Sequence, residues 1–331
     1  NVRALIAYNT DSEITPTVRT NGILMAQIAP RGGYISGSSS IVSLDAWNWE
    51  DAALKADDGL WMNWPSIYRR SGWWAEPGQT ERNKNYDGNK AEIEAFLATA
   101  LAYSQESTPK TTNLKLEAMR GLFDGSKRLY ITASYAKEIV ESVRTAQKHG
   151  IKNIVVVGAE DAWYVKEFLK ENRIPVLLAN LHRLPGRVEE DVDMPYKLPS
   201  LLHKEGILVG LLYDDLKSNR NLPFFAGTAA GFGLEREEAL KLITSNTAKI
   251  LGIEAEVGTL EQGKRATLFV SEGDALDMRT NLVSLAMIDG RKLNLTNKQI
   301  RLYEKFRDKY EQQAAPTTET ETQQQPIQGR N

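Results

Sequence analysis

The sequence predicts an α/β fold built around a parallel sheet. Short β-rich runs alternate with helical patterns through the middle of the chain. One of those runs, Asn153 to Gly158 (NIVVVG), is unbroken apolar sequence, which suits a strand covered on both faces. After Gly252 the alternation gives way to short strands and turns.

The elements follow in order. Gly22 to Pro30, Ile41 to Trp47 and Gly59 to Pro65 read as strands, and a long helix spans Lys90 to Ser104. Arg128 to Ser134 is a strand. The helix after it carries Ile139, Val140, Val143 and Ala146 at helical spacing and stops at Gly150. Asn153 to Gly158 is followed by a helix over Trp163 to Asn172 and a strand over Ile174 to Asn180. Gly206 to Tyr213 is the last strand of the series, and a helix over Leu234 to Leu251 closes it. Strands separated by helices imply parallel βαβ units, seven strands in all. A closed (β/α)8 barrel needs eight, so a doubly wound open sheet competes with it. No G-x-G-x-x-G or Walker-type loop supports a nucleotide crevice, and Arg31-Gly32-Gly33 reads as a tight turn.

On this reading the main α/β unit covers residues 1–255 and a small β subdomain covers 256–296, with turns at Gln262-Gly263 and Asp289-Gly290. A charged helix over 297–313 carries Ile300, Tyr303, Phe306 and Tyr310 on one stripe. The polar end, 314–331, reads as disordered.

Composition removes several functions. The 331 residues carry 41 Lys and Arg against 43 Asp and Glu, a net charge of −2. That balance argues against a nucleic-acid binder working by phosphate neutralisation. Cysteine is absent, so disulfides, thiol nucleophiles and cysteine-based metal sites are excluded. No apolar run is long enough to span a bilayer. The chain opens on Asn1 rather than Met, which leads us to expect a preceding segment.

Four ordered segments carry a resemblance. Ser245-Asn246-Thr247-Ala248-Lys249-Ile250-Leu251-Gly252 is similar to a "TxNPAxILG" helix end, and Val257-Gly258-Thr259-Leu260-Glu261-Gln262-Gly263-Lys264 to "GSLEPGKxAD". Gly273-Asp274-Ala275-Leu276 and Ile288-Asp289-Gly290-Arg291 resemble the "GDPL" and "xxDGxxV" pieces. Together they resemble the amidohydrolase superfamily, in its imidazolonepropionase-like, metal-dependent branch. The resemblance implies a (β/α)8 TIM-like barrel, here lacking or borrowing its first strand, plus a small β-sandwich subdomain built from both chain ends. It implies hydrolysis of carbon–nitrogen bonds other than peptide bonds, by a metal-activated water at the carboxyl ends of the barrel strands.

Carried over residue by residue, the resemblance places the strand-4 lysine position at Trp61. It places the strand-5 histidine at Thr132 and the strand-6 histidine at Val157 or Gly158. Only the strand-8 aspartate is retained, at Asp214 with Asp215 as second choice. Threonine and valine cannot replace imidazole, and tryptophan has no lone pair to offer. No cofactor is therefore expected. The expectation is a degenerate, catalytically inactive member with a binding or subunit-pairing role, as a homo-oligomer or beside a related subunit. The first alternative is an active mononuclear enzyme, with one divalent ion such as zinc held by Asp214 and a His-x-His strand outside this chain. The second is an aromatic-lined protein for a ring-bearing small molecule.

Trp61, Thr132, Tyr135, Trp163, His182 and Tyr213 fall near strand ends and are the candidate pocket residues, with Trp64, Trp73 and Trp74 beside them. His149 reads as a cation at a helix C-terminus, and His203 as a surface residue of a helix. The segment Ser66 to Asn89 is too long for a plain connector and reads as a lid or docking surface. A sheet lacking its first strand has open edges, so a preceding segment or a neighbouring chain is expected to close it. Exported bacterial proteins are common in this branch, which points to the periplasm or the cell exterior.

Overall fold

A computed structural model describes residues 2–73, 75–187, 189–213 and 218–314. Its main sheet begins with β1 (Met25–Ile28), β2 (Ile35–Ser43) and β3 (Ala53–Asn63). Next come β4 (Tyr68–Gly72) and β5 (Pro77–Arg82), which pair only with each other. The main sheet resumes with β6 (Arg128–Ala133), β7 (Ile154–Gly158), β8 (Val176–Ala179) and β9 (Val209–Leu212). Its order is β1-β2-β3-β6-β7-β8-β9, a curled sheet of barrel type. The five strands β3, β6, β7, β8 and β9 run parallel.

Seven strands form as expected in number, with β2 at Ile35–Ser43 rather than over Ile41 to Trp47, but the first two are not part of the parallel series. β1 pairs with β2, and β2 with β3, antiparallel. The connections explain it. Only residues 29–34 join β1 to β2, with Gly32 and Gly33 at positive φ, and only residues 44–52 join β2 to β3. A parallel crossover needs about a dozen residues or more. β2 is buried along nearly its whole length because its start is also covered by the N-terminal residues. There Ser38 N–H donates to Val2 O at 2.8 Å, and Ala4 N–H donates to Ser38 O at 3.0 Å.

The helix expected over Leu234 to Leu251 is two helices, Arg236–Lys241 and Ser245–Leu251. Leu242 lies at the break. Its carbonyl accepts from Leu211 N–H at 3.1 Å and from Thr247 Oγ1 at 2.7 Å. The carbonyl is thus diverted to β9 and to the second helix's own start. The second helix ends at Gly252, φ 67°, where a Cβ would stand 2.2 Å from the Arg128 guanidinium. The left-handed backbone there favours glycine, while the guanidinium is the movable end of a long side chain.

The expected long connector after β3 contains the β4–β5 hairpin, and the helix after it starts early, at Tyr86 (Tyr86–Gln105). Gly72 turns the hairpin at φ 82°, with Glu76 O 2.3 Å from where a Cβ would be. The small antiparallel sheet is β10 (Leu268–Ser271), β11 (Val283–Ile288) and β12 (Arg291–Lys292). It packs Ala286, Ile288 and Phe269 against Leu24 and Met25, so both ends of the chain build this layer. Helix Lys298–Ala314 follows, its start capped by Asn297 Oδ1, which accepts from Ile300 N–H at 2.9 Å. Residues 315–331, on which the expectation of a disordered tail fell, lie outside the described residues.

Two apolar layers flank the parallel strands. On one side Leu60, Met62, Leu129, Ile131, Val156 and Leu178 pack under the helices. On the other, concave side Trp61, Tyr130, Val155, Val157 and Leu177 meet Ile250, Leu251 and Ile253. The alternation of inward and outward residues along each strand makes the two layers.

Candidate functional site

The carboxyl ends of parallel strands are where barrels of this kind place their chemistry. The register there is explicit. Asn63, Thr132, Val157, Leu177 and Gly210 are cross-strand neighbours and form one level. One inward step deeper lie Trp61, Tyr130 and Val155. Trp61 stacks on Tyr130, with centroids 5.3 Å apart and planes 18° from parallel. The indole N–H of Trp61 is buried and has no hydrogen-bond partner among the described residues.

Below that stack sits a buried carboxylate. Asp58 is 1% exposed and joins four strands. It accepts from Gln27 Nε2 (β1) at 2.7 Å, Ser39 Oγ (β2) at 2.8 Å and the Tyr130 hydroxyl (β6) at 3.0 Å. Burial pushes the Asp58 carboxyl above the ordinary aspartate range, against the pull of these three donors. Burial, and then the Asp58 charge, hold the Tyr130 hydroxyl well above its usual value. Asp58 pairs in register just before Gly59 and Arg128, at the amino end of the parallel strands, where such residues serve stability.

The rim at the carboxyl ends is held by three carboxylates. Glu138, 2% exposed, lies in the first turn of helix Ala136–Lys148. Its Oε1 accepts from Ser66 Oγ at 2.9 Å and Ile67 N–H at 2.8 Å, and its Oε2 from Ser134 N–H at 3.2 Å and Tyr135 N–H at 3.3 Å. Asp161, buried, accepts from Ala136 N–H at 3.0 Å and forms a two-pronged pair with Arg187. Glu190 takes a two-pronged pair from Arg183, at 2.5 and 3.1 Å, and accepts from Gly186 N–H at 2.6 Å. The Arg183 guanidinium holds the Glu190 carboxyl below the usual range, while burial raises Glu160 nearby. Between Glu160, Arg183, Gly158 and Ala179 lies a cavity of about 10 Å³, room for about one water molecule. The backbone turns sharply at this rim. Ala159 after β7 has φ 50°, a left-handed region costly for alanine, and Asn180 after β8 has φ 52°, which asparagine tolerates better.

An aromatic group covers the ends of β8 and β9. His182 Nε2 lies 2.6 Å from Thr228 Oγ1, and its ring centroid is 4.4 Å from that of Phe225. Phe225 meets Tyr213 at 4.9 Å, and Tyr196 stands 6.4 Å from His182. Packing of one ring face lowers the His182 pKa from its ordinary value, although the residue as a whole is exposed. Titrated by NMR, His182 is expected to protonate below 6.5 and to shift upward in Phe225→Ala, which opens the ring to water. An unmoved value in that variant would remove Phe225 as the cause.

The candidate residues thus fall into separate groups. Thr132 and Val157 are neighbours at one level, and Trp61 lies a step deeper, so Asn63 is the β3 residue beside them. Gly158 lies in the next register position, beside Ala133 and Leu178. Tyr135 starts the helix after β6, under the Arg187 guanidinium at 5.6 Å and edge-on to Tyr68 at 5.1 Å. Trp163 packs on the helix-covered layer with Lys166 over its ring at 4.2 Å, apart from Trp61. His182 and Tyr213 meet through Phe225. Trp64 is buried and donates its indole N–H to the Tyr86 hydroxyl at 3.0 Å, and Trp73 is exposed on the hairpin turn. Asp214, Asp215 and Trp74 lie outside the described residues. His149 is buried at a helix end, its Nδ1 2.8 Å from Thr145 O, and His203 is half-exposed, 3.9 Å from Glu238. Asp58, Glu138 and Asp161 were not singled out in the sequence. The pattern Tyr135-x-x-Glu138 at a helix start was the one available signal, for a glutamate at the third helical position.

The resemblance implies a divalent ion at the strand ends, and the donors test it. Among the described residues no three His, Asp or Glu side chains gather in a way that could hold a metal ion. The level facing the concavity offers a carboxamide, a hydroxyl and two aliphatic side chains, a poor set for a zinc-like ion.

Comparison with known proteins adds ancestry to this geometry. Residues 101–297 match the sequence model of the Amidohydrolase family. A crystal structure of an amidohydrolase from Thermotoga maritima MSB8 superposes with a TM-score of 0.76 at 24% identity, over 88% of this chain and 77% of that one. A Xaa-Pro dipeptidase with bound methionine in its active site gives 0.47 at 16% identity, over 74% of this chain and 56% of that one. No curated protein sequence matches. The Thermotoga structure carries the fold, and the match over more than half of the sequence carries the ancestry: the chain belongs to the amidohydrolase family.

Proposed function

We propose that this chain is a degenerate amidohydrolase-family protein that no longer hydrolyses carbon–nitrogen bonds and works instead by binding or by pairing with another subunit. One observation carries the reading. The resemblance implies metal ligands near the level of Asn63, Thr132 and Val157, with Trp61 beneath it, and what supports the reading is that these side chains lack a metal cradle's chemistry. Valine offers no donor, the indole of tryptophan offers none, and a neutral hydroxyl or carboxamide binds zinc weakly. A catalytic zinc needs about three good protein ligands.

The test is metal uptake by the purified chain. After equilibrium dialysis against micromolar zinc, metal analysis is expected to find no stoichiometric ion. Asp214→Ala and Asp215→Ala are expected to change nothing. One zinc per chain, lost in either variant, would overturn the reading and restore a mononuclear site.

A further inference from the structure

We infer that the base of the β4–β5 hairpin holds a binding site for a small organic dianion, a phosphate monoester or a dicarboxylate. The end of β5 and the start of helix Tyr86–Gln105 border a solvent-open cleft of about 480 Å³. Ligand clefts measure about 300–1,000 Å³. Glu81, Arg82, Asn83, Lys84, Tyr86 and Asp87 line it. All six belong to the Ser66 to Asn89 segment, which reads as too long for a plain connector.

The cleft is built on fixed points. Asn83 Nδ2 donates to Ser66 O at 2.9 Å, and Asn83 N–H donates to Ile67 O at 2.8 Å. Asn83 Oδ1 accepts from Asn85 N–H at 3.0 Å. These three bonds set the turn that carries Arg82 and Lys84. Tyr86 is buried, and its hydroxyl accepts from the Trp64 indole at 3.0 Å and donates to Glu141 at 2.7 Å.

The charges choose the ligand. Each acid near the cleft already has a partner. Glu81 stands opposite Arg69 in the hairpin register. Asp87 lies in the first turn of its helix, at the positive end of the helix dipole. Glu141 pairs with Lys90 at 3.3 Å and Lys137 at 3.8 Å. Glu138 accepts from the four donors at the rim. Arg82 and Lys84 differ, since neither makes an ion pair or a side-chain hydrogen bond among the described residues. Two unpaired cations on one cleft favour a ligand with two negative charges. The arginine fork matches phosphate and carboxylate oxygens alike. A bare oxyanion would fill only a small part of the cleft, so an organic body accompanies the charge.

The test is calorimetric titration of the full chain with phenyl phosphate, phthalate and inorganic phosphate. One organic dianion is expected to bind saturably, one per chain. Phenyl phosphate alone would identify a phosphate monoester, and phthalate alone a dicarboxylate. Arg82→Ala and Lys84→Ala should each weaken binding about tenfold, the cost of one hydrogen bond to a charged group. Both residues are exposed, so both variants should fold. Arg279→Ala, at an exposed arginine between β10 and β11, should change nothing. The Trp64 indole N–H resonance should move on binding, because it ends on the Tyr86 hydroxyl. No saturable binding at millimolar concentration, or equal weakening in all three variants, would overturn the site. Binding of inorganic phosphate alone would overturn an organic ligand. The site needs no metal, so its failure leaves the metal-uptake result standing, and the reverse.

Discussion

Replacing Asp58 by Ala is expected to lower the unfolding free energy by about 2–4 kcal/mol. The carboxylate is almost wholly buried and collects donors from β1, β2 and β6. Its removal leaves the Tyr130 hydroxyl, itself fully buried, without an acceptor among these partners, and a stranded buried donor costs its desolvation. Ser39 recovers in part by turning to Gly59 O, already 3.3 Å away. Tyr130→Phe, which removes one donor and keeps the stack on Trp61, should cost about 1 kcal/mol. Chemical denaturation of the two variants and their double mutant measures the coupling. Additive effects would show that the hydroxyl and carboxylate do not stabilise one another.

Asp58 also sets a pH dependence of definite sign. Its folded pKa is raised above the ordinary 3.8, so the folded chain holds the proton more tightly than the unfolded one. The stability this contributes is complete below 3.8 and is lost as the pH rises through the folded value. Relative to Asp58→Asn, which does not titrate, the wild type should therefore gain stability on acidification towards 3.8. A difference between the two that is flat with pH would mean that burial does not control this group.

The sequence made the parallel strands readable because each is an apolar run between turn residues, and β6 to β9 lie where that pattern placed them. It did not reveal strand direction. Direction at β1 and β2 is decided by connection length, and the apolar pattern alone resembles that of the parallel strands. The β4–β5 hairpin was hidden because its described side chains are exposed and its sequence carries no apolar alternation. The helix break at Leu242 depends on a carbonyl drawn to β9, a tertiary event with no local signature. At the site, Thr132 and Val157 could be assigned to one level from the strands alone. Placing Asn63 rather than Trp61 beside them needed the register of β3 against β6, and a shift of two residues leaves the inward face unchanged.

The second large effect is expected at the opposite end of the strands. Glu138→Ala should cost about 2–4 kcal/mol, because one buried carboxylate accepts four hydrogen bonds from two rim segments. Two of those donors, Ser134 N–H and Tyr135 N–H, belong to the start of helix Ala136–Lys148, where negative charge also meets the positive end of the helix dipole. The other two, Ser66 Oγ and Ile67 N–H, fix the entry to the β4–β5 hairpin. Glu138→Gln keeps the shape but turns an amide donor towards one of these donor pairs, so it should recover only part of the loss. Hydrogen exchange separates this site from Asp58. Glu138→Ala should lose protection at Ile67, Ser134, Tyr135 and along the hairpin, with β1 and β2 unchanged. Asp58→Ala should show the reverse. If Glu138→Ala loosens β1 instead, the carboxylate supports the whole sheet rather than the rim. The hairpin would then be held by its remaining contacts, the Tyr68–Tyr135 edge and the bond from Asn83 Nδ2 to Ser66 O.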